Sequence, residues 1–69
     1  MKVKQFIKEL QKLSQDALVV LAKDAEGNGF SPLFECSTEF YMPSSTYSGD
    51  LVGNEEEGSE QAVVIWPIN

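Results

Sequence analysis

The spacing of apolar residues changes from helical to alternating along the chain. Val3, Phe6, Ile7, Leu10 and Leu13 follow the i, i+3, i+4, i+7 spacing of one helical face, while Lys4, Lys8, Glu9 and Lys12 fill the other with Gln5 and Gln11. This spacing predicts a helix over about 3–13. The polar side chains of Ser14, Gln15 and Asp16 compete for backbone hydrogen bonds and end it. Lysines toward its C-terminus suit the helix dipole. Leu18 to Ala22 is short, rich in β-branched residues and apolar on both faces, which predicts a strand buried on two sides. Asp24 to Gly29 has turn chemistry, with two glycines and an asparagine that tolerate positive φ.

From Phe34 onward the period is two. Phe34, Cys36, Thr38, Phe40 and Met42 alternate with Glu35, Ser37, Glu39 and Tyr41, predicting a strand with the first set in the core and the second in water. Pro43 stops it, and Ser44 to Gly49 reads as a polar loop. Gly53 to Glu60 is an acidic loop that cannot pack on anything apolar. Ala62 to Trp66 is apolar on both faces and reads as a central strand, because an exposed edge of that composition invites aggregation. The gap before it is long and leaves room for an extra turn or strand near Asp50, Leu51 and Val52. The expected architecture is α+β: one N-terminal amphipathic helix packed on a small antiparallel β-sheet of about three strands, in a single domain over 1–69.

Size sharpens this picture. A 69-residue chain buries only about 60% of its unfolded surface, and such a core contributes a net of roughly 3–5 kcal/mol. Either local structure is well specified or a second subunit completes the core. A homodimer through a β edge or the helix is therefore an expectation. The longest apolar run, Ala17 to Ala22, is far too short to cross a membrane. One cysteine and no apolar leader point to a cytoplasmic protein.

Charge is segregated. All five lysines lie in the first 23 residues, and everything after Lys23 is acidic or neutral, for a net charge of −6. Direct nucleic-acid binding is disfavoured, since affinity for a polyanion comes from Lys and Arg neutralising phosphates. The acidic remainder could instead imitate a phosphate backbone and occupy a groove built for DNA or RNA. The simpler reading of the same charge is solubility.

Candidate chemistry is sparse. With no histidine there is no imidazole base and no Ser–His or Cys–His pair. Asp24, Glu26, Asn28 and Gly29 fit positions 1, 3, 5 and 6 of a calcium loop, with Phe30 and Glu35 at 7 and 12. Against that frame stand the apolar entering segment, Ser31 where an aliphatic residue belongs, and Pro32; a hairpin-type turn is the favoured reading of 24–35. Glu35 and Glu39 lie roughly 13 Å apart along their strand, and Glu55, Glu56 and Glu57 share a solvated loop, so neither group makes an acid–base pair. Cys36, among apolar and acidic neighbours, reads as a small core residue. No catalytic residue, metal or cofactor is expected. Aromatic side chains with a polar tip serve as interface anchors. Tyr41 and Tyr47, with Glu35, Glu39, Glu55, Glu56 and Glu57, therefore form the candidate protein-binding set, whereas Trp66 reads as the end of a core strand.

The segments VKQFIKELQKLSQDALVVLAKDAEGNGFSPL, YMPSSTYSG and AVVIWPIN together resemble small proteins encoded by tailed bacteriophages and prophages. The most distinctive pieces are Gln15-Asp16, Glu26-Gly27-Asn28 and Trp66-Pro67. Ser14 stands where the family pattern has proline, which loosens the helix-to-strand turn. The resemblance carries no assigned activity. It implies a small protein made in an infected bacterial cytoplasm; binding of a host or phage protein through the acidic sheet face and Tyr41 and Tyr47 is the expectation that follows from the surface residues themselves.

Overall fold

A computed structural model describes all 69 residues. In chain order the elements are α1 (Val3–Gln11), β1 (Val20–Ala22), β2 (Phe30–Pro43), β3 (Gly49–Val52) and β4 (Glu60–Pro67). They fall into two compact units, Met1–Leu33 with Pro67–Asn69, and Phe34–Trp66.

In the first unit, α1 starts where the Lys2 backbone N–H donates to Gln5 Oε1 at 2.7 Å and the Lys2 carbonyl accepts the first helical N–H groups. The helix ends at Gln11, earlier than the apolar spacing predicts. Lys12 and Leu13 donate to the carbonyls of Glu9 and Leu10, the tighter i to i−3 pattern that closes a last turn. The Gln15 amide then caps the end, donating to the carbonyls of Leu10 at 3.0 Å and Leu13 at 2.8 Å. β1 pairs antiparallel with the start of β2, Val20 opposite Pro32 and Ala22 opposite Phe30. Between them Gly27 takes a φ of +75°, which L side chains rarely adopt. The expectation of a strand from Leu18 buried on two sides is not met. Only three residues pair, and Leu18 is 79% exposed.

The one buried side chain of the protein is polar. Ser31, 1% exposed, accepts the N–H of Ile68 at 3.0 Å and of Asn69 at 3.3 Å through its hydroxyl. The neighbouring Pro32 carbonyl accepts the Ile68 N–H as well. The C-terminal residues are thereby tied to the start of β2, which satisfies their backbone donors.

In the second unit, β2 pairs antiparallel with β3, Phe40 opposite Val52 through Pro43 opposite Gly49, and β4 also pairs β2. The class is α+β as the patterns predict: a short N-terminal helix and an antiparallel sheet, with four strands rather than about three. The added strand, β3, falls where the long gap left room. β2 begins four residues before the alternating stretch, at Phe30, and Pro32 sits within it. β4 is not central. It has β2 as its single neighbour, and β2 is the strand that takes several partners.

The expected core is also corrected: no apolar side chain is buried. Along β2, Phe34 is 64% exposed and Cys36 and Thr38 are exposed, while Ser37, Glu39 and Tyr41 are half-buried. Phe40 and Met42 are half-buried too. The alternation is real, but the better-covered face is the one that carries the polar residues. Its cover comes from aromatics. The Trp66 indole N–H donates to Ser37 Oγ at 2.7 Å, and the Tyr41 phenol lies against Gly49.

Candidate interaction surface

The seven acidic and tyrosine candidates divide into three groups. Glu39 and Tyr41 share the Ser37 face of β2 and are half-buried. Tyr41 is fixed there by its neighbour on β3: a Cβ on Gly49 would meet Tyr41 Oη and the Met42 carbonyl oxygen, each at 2.5 Å. Glycine is what lets the phenol lie against the backbone.

Tyr47 is presented differently. The hairpin between β2 and β3 is woven from serines. The Ser44 and Ser45 N–H groups donate to the Ser48 carbonyl at 2.9 and 3.1 Å. Ser45 Oγ accepts the N–H groups of Tyr47 and Ser48 at 3.3 and 3.2 Å. The loop satisfies its own polar groups, and its aromatic side chain is left 90% exposed.

The acidic loop is braced in the same way. Ser59 Oγ accepts the Glu56 N–H at 2.9 Å and donates to the Glu56 carbonyl at 2.6 Å. Gly58, with a φ of +87°, makes the turn. A Cβ on Gly58 would lie 3.6 Å from Met42 Sδ, so the loop returns beside the C-terminal end of β2, where the Tyr47 hairpin begins. Glu55, Glu56 and Glu57 are all exposed there. Tyr47 and this carboxylate run are thus brought to one end of the second unit. Glu35, also exposed, is eight residues back from Pro43, roughly 26 Å along the strand. It stands apart from both groups.

The calcium-type frame folds as a hairpin turn. Asp24 Oδ1 accepts the N–H groups of Glu26 at 2.9 Å and Asn28 at 3.1 Å. Asn28 Nδ2 donates to Asp24 Oδ2 at 3.1 Å and Glu26 Oε2 at 3.4 Å. The N–H and amide of Asn28 hold the Asp24 carboxyl below its ordinary pKa against the opposing effect of desolvation, aided by the Glu26 and Gly27 N–H groups. These carboxylates act as acceptors that build the turn, while Glu35 lies out in β2. Nowhere do three or more His, Cys, Asp or Glu side chains converge as a metal-holding group.

Three structural residues carry no strong signal in the sequence: Ser31, Ser37 and Gly49. Gly49 has the best one, a glycine opening a strand that follows an aromatic-containing strand across a short loop. Ser31 and Ser37 look like any polar position until their partners, Ile68 and Trp66, arrive from far along the chain.

No helix is long and apolar enough to cross a membrane. No protein-family model, curated protein or solved structure matches this chain.

Proposed function

We propose that this is a small acidic protein without enzymatic activity, of a phage-encoded kind made in the bacterial cytoplasm, that acts by binding a host or phage protein. The observation that carries this reading is the end of the second unit. There a 90% exposed tyrosine on a serine-braced hairpin and the loop that carries Glu55, Glu56 and Glu57 meet the same end of β2. An aromatic anchor with a charged rim is the composition of a protein-binding hot spot. The hairpin's internal hydrogen bonds reduce the ordering entropy that docking requires.

The test is retention of a partner captured from bacterial lysate by the tagged protein. Tyr47→Ala and a triple Glu55→Gln, Glu56→Gln, Glu57→Gln variant are expected to lose that partner, while Glu35→Lys keeps it. Full retention by both loop variants overturns the proposal. A second reading has its own support: residues 34–66 carry seven carboxylates and no base. This charge suits imitation of a phosphate backbone. Under that reading the captured partner is a DNA- or RNA-handling protein, duplex DNA competes for it, and affinity falls steeply with salt. Salt-indifferent binding excludes it.

A further inference from the structure

Of the two glycines in the β1–β2 turn, only Gly27 takes a positive φ. A Cβ on Gly29 would meet nothing but the flexible Lys23 side chain, whose nearest atom, Cδ, lies 3.3 Å away. The backbone therefore does not require glycine at 29. What glycine does there is leave its own nitrogen open. The Gly29 N–H donates to no group of the chain, whereas those of Glu26, Gly27 and Asn28 before it are all engaged. Asn28, directly before that nitrogen, is exposed. It is the one asparagine followed by a glycine; Asn54 is followed by Glu55.

We propose that Asn28–Gly29 is a site of covalent self-modification, in which Asn28 loses its side-chain amide and the β1–β2 turn comes undone. The Gly29 nitrogen attacks Asn28 Cγ. An N–Cγ bond forms, the N–H proton passes to water, and the Cγ–Nδ2 bond breaks; Nδ2 takes a proton from water and leaves as ammonia. Water then opens the cyclic imide at either carbonyl, giving aspartate or isoaspartate. No oxidant, reductant or enzyme is needed. The reacting atoms belong to neighbouring residues, so the attack is intramolecular, and no side chain at 29 hinders it.

The turn's own clasp sets both the rate and the consequence. Asn28 Nδ2 donates to Asp24 Oδ2 at 3.1 Å and to Glu26 Oε2 at 3.4 Å. These bonds fix the side chain, so ring closure waits for the clasp to open. The two carboxylates also oppose the negative charge that develops on the attacking nitrogen. After conversion, residue 28 has no amide to donate. Three carboxylates then share the space that one clasp held, and like charges at that range repel. Isoaspartate also lengthens the main chain by a methylene just before Gly29, whose carbonyl accepts the Lys23 N–H at 2.8 Å and closes the hairpin. A closed turn protects its amide, and a turn that has opened and reacted does not reclose.

Ageing the full chain at neutral pH, followed by peptide mapping and isoaspartate-specific methylation, tests this. Asn28 is expected to convert while Asn54 stays an amide. Gly29→Ala, which the Lys23 side chain can accommodate, is expected to all but stop the conversion. Asp24→Ala and Glu26→Ala each remove one acceptor of the clasp and are expected to speed it several-fold. If Asp24→Ala does not fold, Glu26→Ala decides that arm, since it keeps the Asp24 acceptor of the backbone bonds. Asn28→Asp makes one product directly, and its Lys23 and Glu26 amides are expected to exchange faster than those of the wild type. An amide at 28 that outlasts the one at 54 overturns the inference. So do conversion rates left unchanged by both clasp variants, and amide exchange in Asn28→Asp as slow as in the wild type.

Discussion

The two units of this chain are built on opposite principles. The first, Met1–Leu33 with Pro67–Asn69, holds all five lysines against four carboxylates, and polar bonds organise it. Its fixed points are Ser31, the Asp24–Asn28 turn and the Gln15 cap. The second, Phe34–Trp66, has seven carboxylates and no base, and aromatic contacts across a three-stranded arrangement organise it. Its fixed points are Tyr41 on Gly49 and Trp66 on Ser37. Neither buries an apolar side chain. Hydrogen bonds of this kind contribute about 0.5–1.5 kcal/mol each, so both units rely on geometry that a single substitution can remove. What differs is which substitution.

The largest effect is expected in the second unit. Gly49→Ala places a Cβ 2.5 Å from a backbone carbonyl and from the Tyr41 hydroxyl, and overpacking of that kind costs about 1–3 kcal/mol. Against a net stability of roughly 3–5 kcal/mol, the urea midpoint followed by Trp66 fluorescence is expected to drop sharply. An unchanged midpoint would show that β3 is dispensable to the unit. Next comes the first unit. Ser31→Ala removes the acceptor of two C-terminal N–H groups and is expected to cost about 1–2 kcal/mol, with faster amide exchange at Ile68 and Asn69. If instead exchange quickens equally across residues 34–66, the two units are one cooperative body and the contrast fails.

A smaller effect separates the units by pH. The folded-state pKa of Asp24 is lowered, so its contribution is fully present above the ordinary carboxylate value and is lost as pH falls through the lowered one. Amide shifts of Glu26 and Asn28 are expected to titrate in that acid window, and Asp24→Asn is expected to abolish the transition. Residues 34–66 should show no step coupled to it. The smallest effect is the exposed Lys12–Glu9 pair at 3.2 Å. Glu9→Gln is expected to change stability by less than about 0.5 kcal/mol, and a larger loss in thermal melts would mean that α1 is held by charge rather than by an apolar contact.

The sequence alone determined what depends on neighbours in the chain. Period 3.6 placed α1, because residues three and four apart share a face whatever surrounds them. Gly27, Asn28 and the serines placed the turns, since their backbone preferences are local. The segregation of lysine from carboxylate was fully legible as well, together with the solvated character of Glu55–Glu57 and the polar loop that carries Tyr47. Tertiary structure decided everything that needed a distant partner. Alternation along β2 gives two faces but cannot say which one is covered. That was settled by Trp66 reaching Ser37 and by Gly49 admitting Tyr41, contacts whose residues are far apart or unremarkable in sequence. β4 became an edge rather than a centre for the same reason: strand order is set by which backbone groups meet, and composition only reports how costly an open edge is.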